Sequence, residues 1–176
     1  MTDDATGPVY VEAEDDGWSA AVADVEACAR RAAQAALDKV GGGAVVILLT
    51  DDATVQDLNH RFRSKPSATN VLSFPTQRLP GLPVDPGASG DIALALGVCR
   101  AEAQAEGISL ADHLTHLVIH GVLHLAGHDH VDDVEAAEME SLETTLLAKL
   151  GVSDPYRHEH RDAAPGAELA PEATHG

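Results

Sequence analysis

Five histidines crowd the fifteen residues from His116 to His130, HLVIHGVLHLAGHDH, half of the ten in the chain. Neutral imidazole is a common ligand for divalent transition metals. His120 and His124 are four residues apart. On a helix that spacing stacks two side chains one turn apart, about 6 Å between Cβ atoms. Both rings can then converge on one ion at about 2.0–2.1 Å. A third donor is needed for a catalytic site that keeps an open position. His116 extends the same row, but it lies eight residues before His124, about 12 Å along a helix axis, so an ion between His120 and His124 is poorly reached from it. Gly127 supplies a left-handed turn that can fold the following residues back. His130 then completes His120-x3-His124-x2-Gly127-x2-His130, with His128 as the alternative third ligand. Three neutral imidazoles leave an ion its full charge and an open water position. One Zn²⁺ suits that set best and can bring bound water to a pKa of ~7, while nickel, cobalt and manganese also fit by ligand type.

This skeleton is the metzincin zinc pattern with one residue changed. In zincins a glutamate after the first histidine takes a proton from water and passes one to the leaving amine. Gly121 stands there instead and can do neither. That counts against peptide hydrolysis, whose poor leaving group needs an acid. A phosphodiester has a different need, because its transition state gathers negative charge on non-bridging oxygens that a cation can stabilise. Arg61, Arg63 and Lys65 form the densest basic cluster of the chain. A solvated helix end accounts for the same residues, since cations there favour the macrodipole. Lone histidines on helices are usually surface or core residues, and His113 and His116 are read as scaffold or supporting groups. Asp129 could orient a ligand imidazole or simply cap a turn. Met139 is read as core, and His158, His160 and His175 as passive.

The elements that must position these residues follow from patterning. PVYVEAED (8–15) alternates as a strand, and the Ala-rich stretch 18–40 reads as one helix, N-capped by Ser19 and ended by Gly41–Gly43. AVVILLT (44–50) is a short buried strand, followed by a helix capped by Asp51 that carries Val55, Leu58 and Phe62 on one face. TNVLSFP (69–75) and DIALAL (91–96) are strands, separated by a Pro/Gly-rich loop over 76–90. A short helix over 99–107 leads to Ser109, whose SLAD run forms a capping box for the histidine helix to Ala126. Asp132 caps a last helix that ends at Gly151. These elements imply an α+β fold, close to α/β: one domain over residues 1–151, with a small four-stranded mixed sheet and about five helices. Residues 152–176 show no periodicity and are read as an acidic, disordered tail.

Composition narrows the function classes. The formal net charge is −18 and is spread along the chain, which repels polyanions at long range. Nucleic acid would therefore be handled through a local cationic site and a metal. No apolar run is long enough to span a membrane, the acidic N-terminus does not read as a signal peptide, and Cys28 and Cys99 are read as reduced thiols.

HGVLHLAGHDH (120–130) resembles the signature of the YbeY family of single-strand-specific metallo-endoribonucleases. LNHRFR with TNVLSFP, GDIALAL (90–96) and EAAEMESLE (135–143) resemble further blocks of that family, in order, over roughly residues 40–150. The resemblance implies a zincin-like metal helix, one zinc on His120, His124 and His130, and an arginine facing the metal, to which Arg63 aligns. It implies a cytoplasmic enzyme that hydrolyses single-stranded rRNA in 16S rRNA 3′ end maturation and ribosome quality control. Its implied partners are small-subunit ribosomal proteins and a ribosome-assembly GTPase. The strand at 90–96, as an edge, and the loop at 76–89 would border the cleft. Two departures stand out: His128 occupies a position that is usually aromatic in the family, and KPSATN differs from the usual KPT run. Two rival expectations remain. One is a metallopeptidase with Asp129 or Glu135 as base. The other is a non-catalytic ribosome-assembly factor with a bound zinc.

Overall fold

A computed structural model describes residues 9–63, 69–75, 88–127 and 133–152. Among these residues four strands form one sheet: β1 (Val9–Ala13), β2 (Gly42–Thr50), β3 (Val71–Pro75) and β4 (Ala88–Ala95), in the order β1-β2-β4-β3. β1, β2 and β4 run parallel, and β3 pairs antiparallel to β4. Among the described residues six helices accompany them: α1 (Asp16–Ala21), α2 (Val25–Val40), α3 (Asp52–Arg63), α4 (Leu96–Glu106), α5 (Leu110–Leu125) and α6 (Asp133–Lys149). The expected small mixed sheet flanked by helices is what the chain forms.

Period-two alternation sorts the strand residues between two faces. Val45, Ile47, Leu49, Ile92 and Leu94 join the larger core with α2 and α5. Leu72, Ala93 and Ala95 point the other way and pack with Val55 and Leu58 of α3. The sheet is therefore covered by α5 and α2 on one side and by α3 on the other. The histidine helix α5 is central, touching α2, α4, α6, β3 and β4.

Several local expectations shift. The stretch read as one helix over 18–40 is two, because the chain leaves helical geometry at Val22 and Asp24 adopts a left-handed conformation (φ 53°). Aspartate tolerates that conformation better than most residues. The break lets α1 fold over the end of β2, where the buried Trp18 donates its Nε1–H to the Thr50 carbonyl at 2.9 Å. Ser19 therefore lies inside α1, and Asp15 is the cap, accepting from the Gly17 amide at 2.8 Å. α4 starts at Leu96, earlier than expected. Its capping residue Ala95 offers no side-chain acceptor, and the Asp52 carboxylate accepts from the Val98 amide at 3.1 Å instead. Asp51 and Ser109 cap as expected, bonding the Thr54 amide at 2.8 Å and the Asp112 amide at 3.0 Å.

The strand at 90–96 is not an edge. β4 lies between β2 and β3, so its backbone groups are paired on both sides, and β3 is the outer strand beside it. Asp132 and most of the loop over 76–90 and of the tail lie outside the described residues.

Candidate metal centre

The site is built on one helix face. His113, His116, His120 and His124 recur at three- and four-residue steps, and their rings form a column along α5. Successive ring centroids are 6.4, 6.3 and 4.6 Å apart, so the closest pair is His120 with His124, edge to face at 76°. These are the two histidines whose spacing predicts a shared ion. α5 ends as predicted, with Gly127 at φ 101°. The residues that follow, including His128, Asp129 and His130, lie outside the described residues.

Two carboxylates hold the column from neighbouring helices. Glu143 of α6 lies between two histidines: its Oε2 accepts from His120 Nδ1 at 2.6 Å and its Oε1 from His116 Nε2 at 2.9 Å. Its side chain is 1% exposed. Burial pushes the Glu143 carboxyl upward, but the hydrogen bonds from His116 and His120, together with the electrostatic attraction of both rings, outweigh burial and hold it well below the usual carboxylate range. His116 is thus tied into the scaffold. Among the described residues, His116, His120 and Glu143 form a group able to hold a metal ion, with ligand atoms within 4.8 Å of one another.

Nearer the start of α5, His113 Nε2 donates to Glu102 Oε1 of α4 at 2.8 Å, and Asn70 Nδ2, just before β3, donates to the same oxygen at 3.0 Å. The bond from His113 lowers the Glu102 carboxyl below its ordinary value, against the opposing push of burial, with Asn70 adding to the lowering.

The Gly121 position has a packing explanation. A Cβ built there would lie 3.1 Å from two side-chain carbons of Ile92 and 3.2 Å from Ser73 Oγ. Ser73 and Ile92 are cross-strand partners on the sheet face that meets α5, and Ser73 Oγ donates to the Gly121 carbonyl at 3.3 Å. Gly121 thus seats the helix against the sheet, and a glutamate there would point into strand side chains. Its absence alone therefore says less about the reaction than the sequence suggests.

Arg63 is the last residue of α3, whose body packs on the sheet face opposite α5, and β3 is the next strand in sequence. The Arg63 side chain and Lys65 lie outside the described residues. Arg61 pairs with Asp57 one turn earlier, at 3.2 Å on an exposed face. Met139 is buried in the core, as expected. Glu143 and the Glu102–Asn70 pair were not singled out from sequence as site residues. The signal for Glu143 was present: it sits on the row Met139, Glu143, Leu146, Leu147, a charge among core residues of α6.

Comparisons with known proteins bear on the family and the fold. The family model described as Endoribonuclease YbeY matches residues 11–151. A curated protein named Endoribonuclease YbeY from Paramagnetospirillum magneticum is 54% identical over 146 residues, covering 79% of this chain and 89% of its own. One of the same name from Paracoccus denitrificans is 46% identical over 175 residues, covering 90% and 99%. The solution structure of a Thermotoga maritima protein superposes with a TM-score of 0.57 at 20% identity, over 94% of this chain and 100% of that one, and shows the same fold.

Proposed function

The chain belongs to the Endoribonuclease YbeY family, and from that premise we propose that it is a zinc-dependent endoribonuclease acting on single-stranded rRNA, with the ion on His120, His124 and His130. Membership makes it a hydrolase acting on RNA. The observation that carries the zinc reading is the His120–His124 pair, with ring centroids 4.6 Å apart on a partly open helix face. An imidazole donor set suits zinc. The left-handed conformation of Gly127 supports the reading that His130 is the third ligand. A bound zinc would supply a Lewis acid for the phosphate and lower the pKa of water.

The chain's own residues have simpler tasks. His120 and His124 present ring nitrogens on one face. Arg63 contacts a non-bridging phosphate oxygen, where its charge offsets the charge gained in the transition state. In the reaction a water oxygen bonds to phosphorus, one P–O ester bond breaks, and the leaving oxygen takes up a proton. The role proposed is 16S rRNA 3′ end maturation and ribosome quality control in the cytoplasm, within a domain spanning residues 1–151. The net charge of −18 favours contact with basic small-subunit ribosomal proteins, and a ribosome-assembly GTPase is the further proposed partner. Among the described residues no helix is long and apolar enough to cross a membrane.

The test compares wild type, His124→Ala and Arg63→Glu on single-stranded rRNA fragments with metal controlled. Both variants are expected to lose cleavage while keeping the wild-type circular dichroism spectrum. Undiminished cleavage by both would overturn the mechanism.

A further inference from the structure

We propose that Glu143 is the positioning residue of the metal centre: it takes the Nδ1–H of His120, so that the ring's other nitrogen, Nε2, carries the lone pair that faces the ion. His116 holds Glu143 in that orientation. The inference rests on the zinc reading above only for its second measurement.

The argument begins with what a carboxylate can do. An ionised carboxylate only accepts hydrogen bonds. Glu143 meets His120 Nδ1 at 2.6 Å and His116 Nε2 at 2.9 Å, one histidine on each oxygen. Both nitrogens must therefore carry hydrogen. A neutral imidazole has one N–H, so a neutral His120 bonded at Nδ1 has its lone pair at Nε2. That is the tautomer a ligand needs if Nε2 is to bind the ion, and a carboxylate on the far nitrogen also raises the ring's basicity.

Placement supports positioning over ligation. Each Glu143 oxygen already accepts a ring N–H at hydrogen-bond distance, and its side chain is 1% exposed. His120 is more open, with its side chain 23% exposed, and its ring lies nearer to His124 than to His116. An ion shared by His120 and His124 can take Nε2 of His120 without disturbing the bond at Nδ1. An ion held by His116, His120 and Glu143 would have to displace both hydrogen bonds.

The full chain, metal-free and then with zinc alone, tests this in two steps. Nitrogen-15 NMR of the metal-free protein should show His120 of the wild type as the Nδ1–H tautomer. Glu143→Ala should shift it towards Nε2–H, and Glu143→Gln, whose amide oxygen still accepts, should preserve Nδ1–H. Zinc affinity, measured by chelator competition, should fall about 10–100-fold in Glu143→Ala and less in Glu143→Gln. An Nε2–H tautomer in the wild type overturns the proposal even if no Glu143 variant folds. So does zinc binding lost entirely in both Glu143→Ala and His116→Ala but kept in His124→Ala, because Glu143 would then be a ligand. If the tautomer shifts as stated but the wild type binds no zinc, the positioning role stands and the zinc reading falls.

Discussion

Two histidine–carboxylate pairs on the same helix use the same chemistry for different ends. His113 with Glu102, near the start of α5, and His120 with Glu143, two turns later, each join a ring N–H to a carboxylate on a neighbouring helix. His113 is 6% exposed, and its Nδ1 is buried without a hydrogen-bond partner among the described residues. That ring is closed in, and its other nitrogen cannot serve a ligand. The His120 side chain is 23% exposed, and another imidazole packs against it. What separates a structural histidine from a ligand candidate here is the surroundings of its second nitrogen. Residue type and first partner do not distinguish them.

The comparison can be broken most severely at the packing point beside the histidine column. Gly121→Glu would restore the residue that zincins carry, but it would drive a carboxylate into Ile92 and Ser73. Overpacking combined with an unpaired buried charge should cost more than about 4 kcal/mol, a large share of the stability of a domain. A folded Gly121→Glu protein with peptidase activity would contradict this account and revive the metallopeptidase reading. The next largest effect separates the two ends. His124→Ala should remove zinc binding and leave the thermal midpoint of the metal-free protein nearly unchanged. His113→Ala should do the reverse, costing about 1–3 kcal/mol through a cavity and a lost bond to Glu102 while zinc still binds. Calorimetry and chelator competition on both variants read this directly. Matching behaviour in the two would dissolve the distinction.

A smaller effect comes from pH. The Glu102 carboxyl is held below its ordinary value of 4.5, chiefly by the bond from His113. Its folded value therefore lies below its unfolded value. The stability it adds is complete above the unfolded value and disappears as pH falls through the folded one. Its side chain is 37% exposed, so solvent screens the pair and the gain is small. Urea midpoints measured downward from about pH 5 should fall more steeply for wild type than for Glu102→Gln. Parallel slopes would show that the His113 pair adds nothing.

The histidine helix was legible in sequence because local rules set it. Ser109 caps it, the apolar positions recur at helical spacing, and Gly127 ends it. The break at Asp24 was not legible, because helix propensity favours continuing through it. The break is explained by the long-range bond from Trp18 to Thr50, 32 residues away. The placement of β4 in the sheet interior was hidden for a related reason. Strand order depends on which segment pairs outside it, and β3 precedes it in the chain. Glu143 lay in plain view as a charge on an apolar helical row, but only the fold shows that His116 and His120 meet it there. Gly121 was read as a statement about the reaction, whereas the structure makes it first a statement about packing.

Gly121→Ala is the smallest and most discriminating probe of that last point. In an exposed helix the change would stabilise by about 1 kcal/mol, since glycine is the poorer helix former. Here the new Cβ would come within 3.1 Å of Ile92 on two of its carbons, and Ile92 is itself fully buried in the core. A branched side chain locked by its neighbours has little room to yield, so overpacking should cost about 1–3 kcal/mol. The two contributions oppose each other, and the expected net is a loss of about 1 kcal/mol, visible as a small drop in the urea midpoint at unchanged slope. The sign carries the information. A gain in stability would mean that α5 can lift from the sheet at little cost, and the glycine would again need a chemical explanation. A loss, with zinc affinity unchanged, would place Gly121 on the packing face of the helix and the metal chemistry on the histidine face.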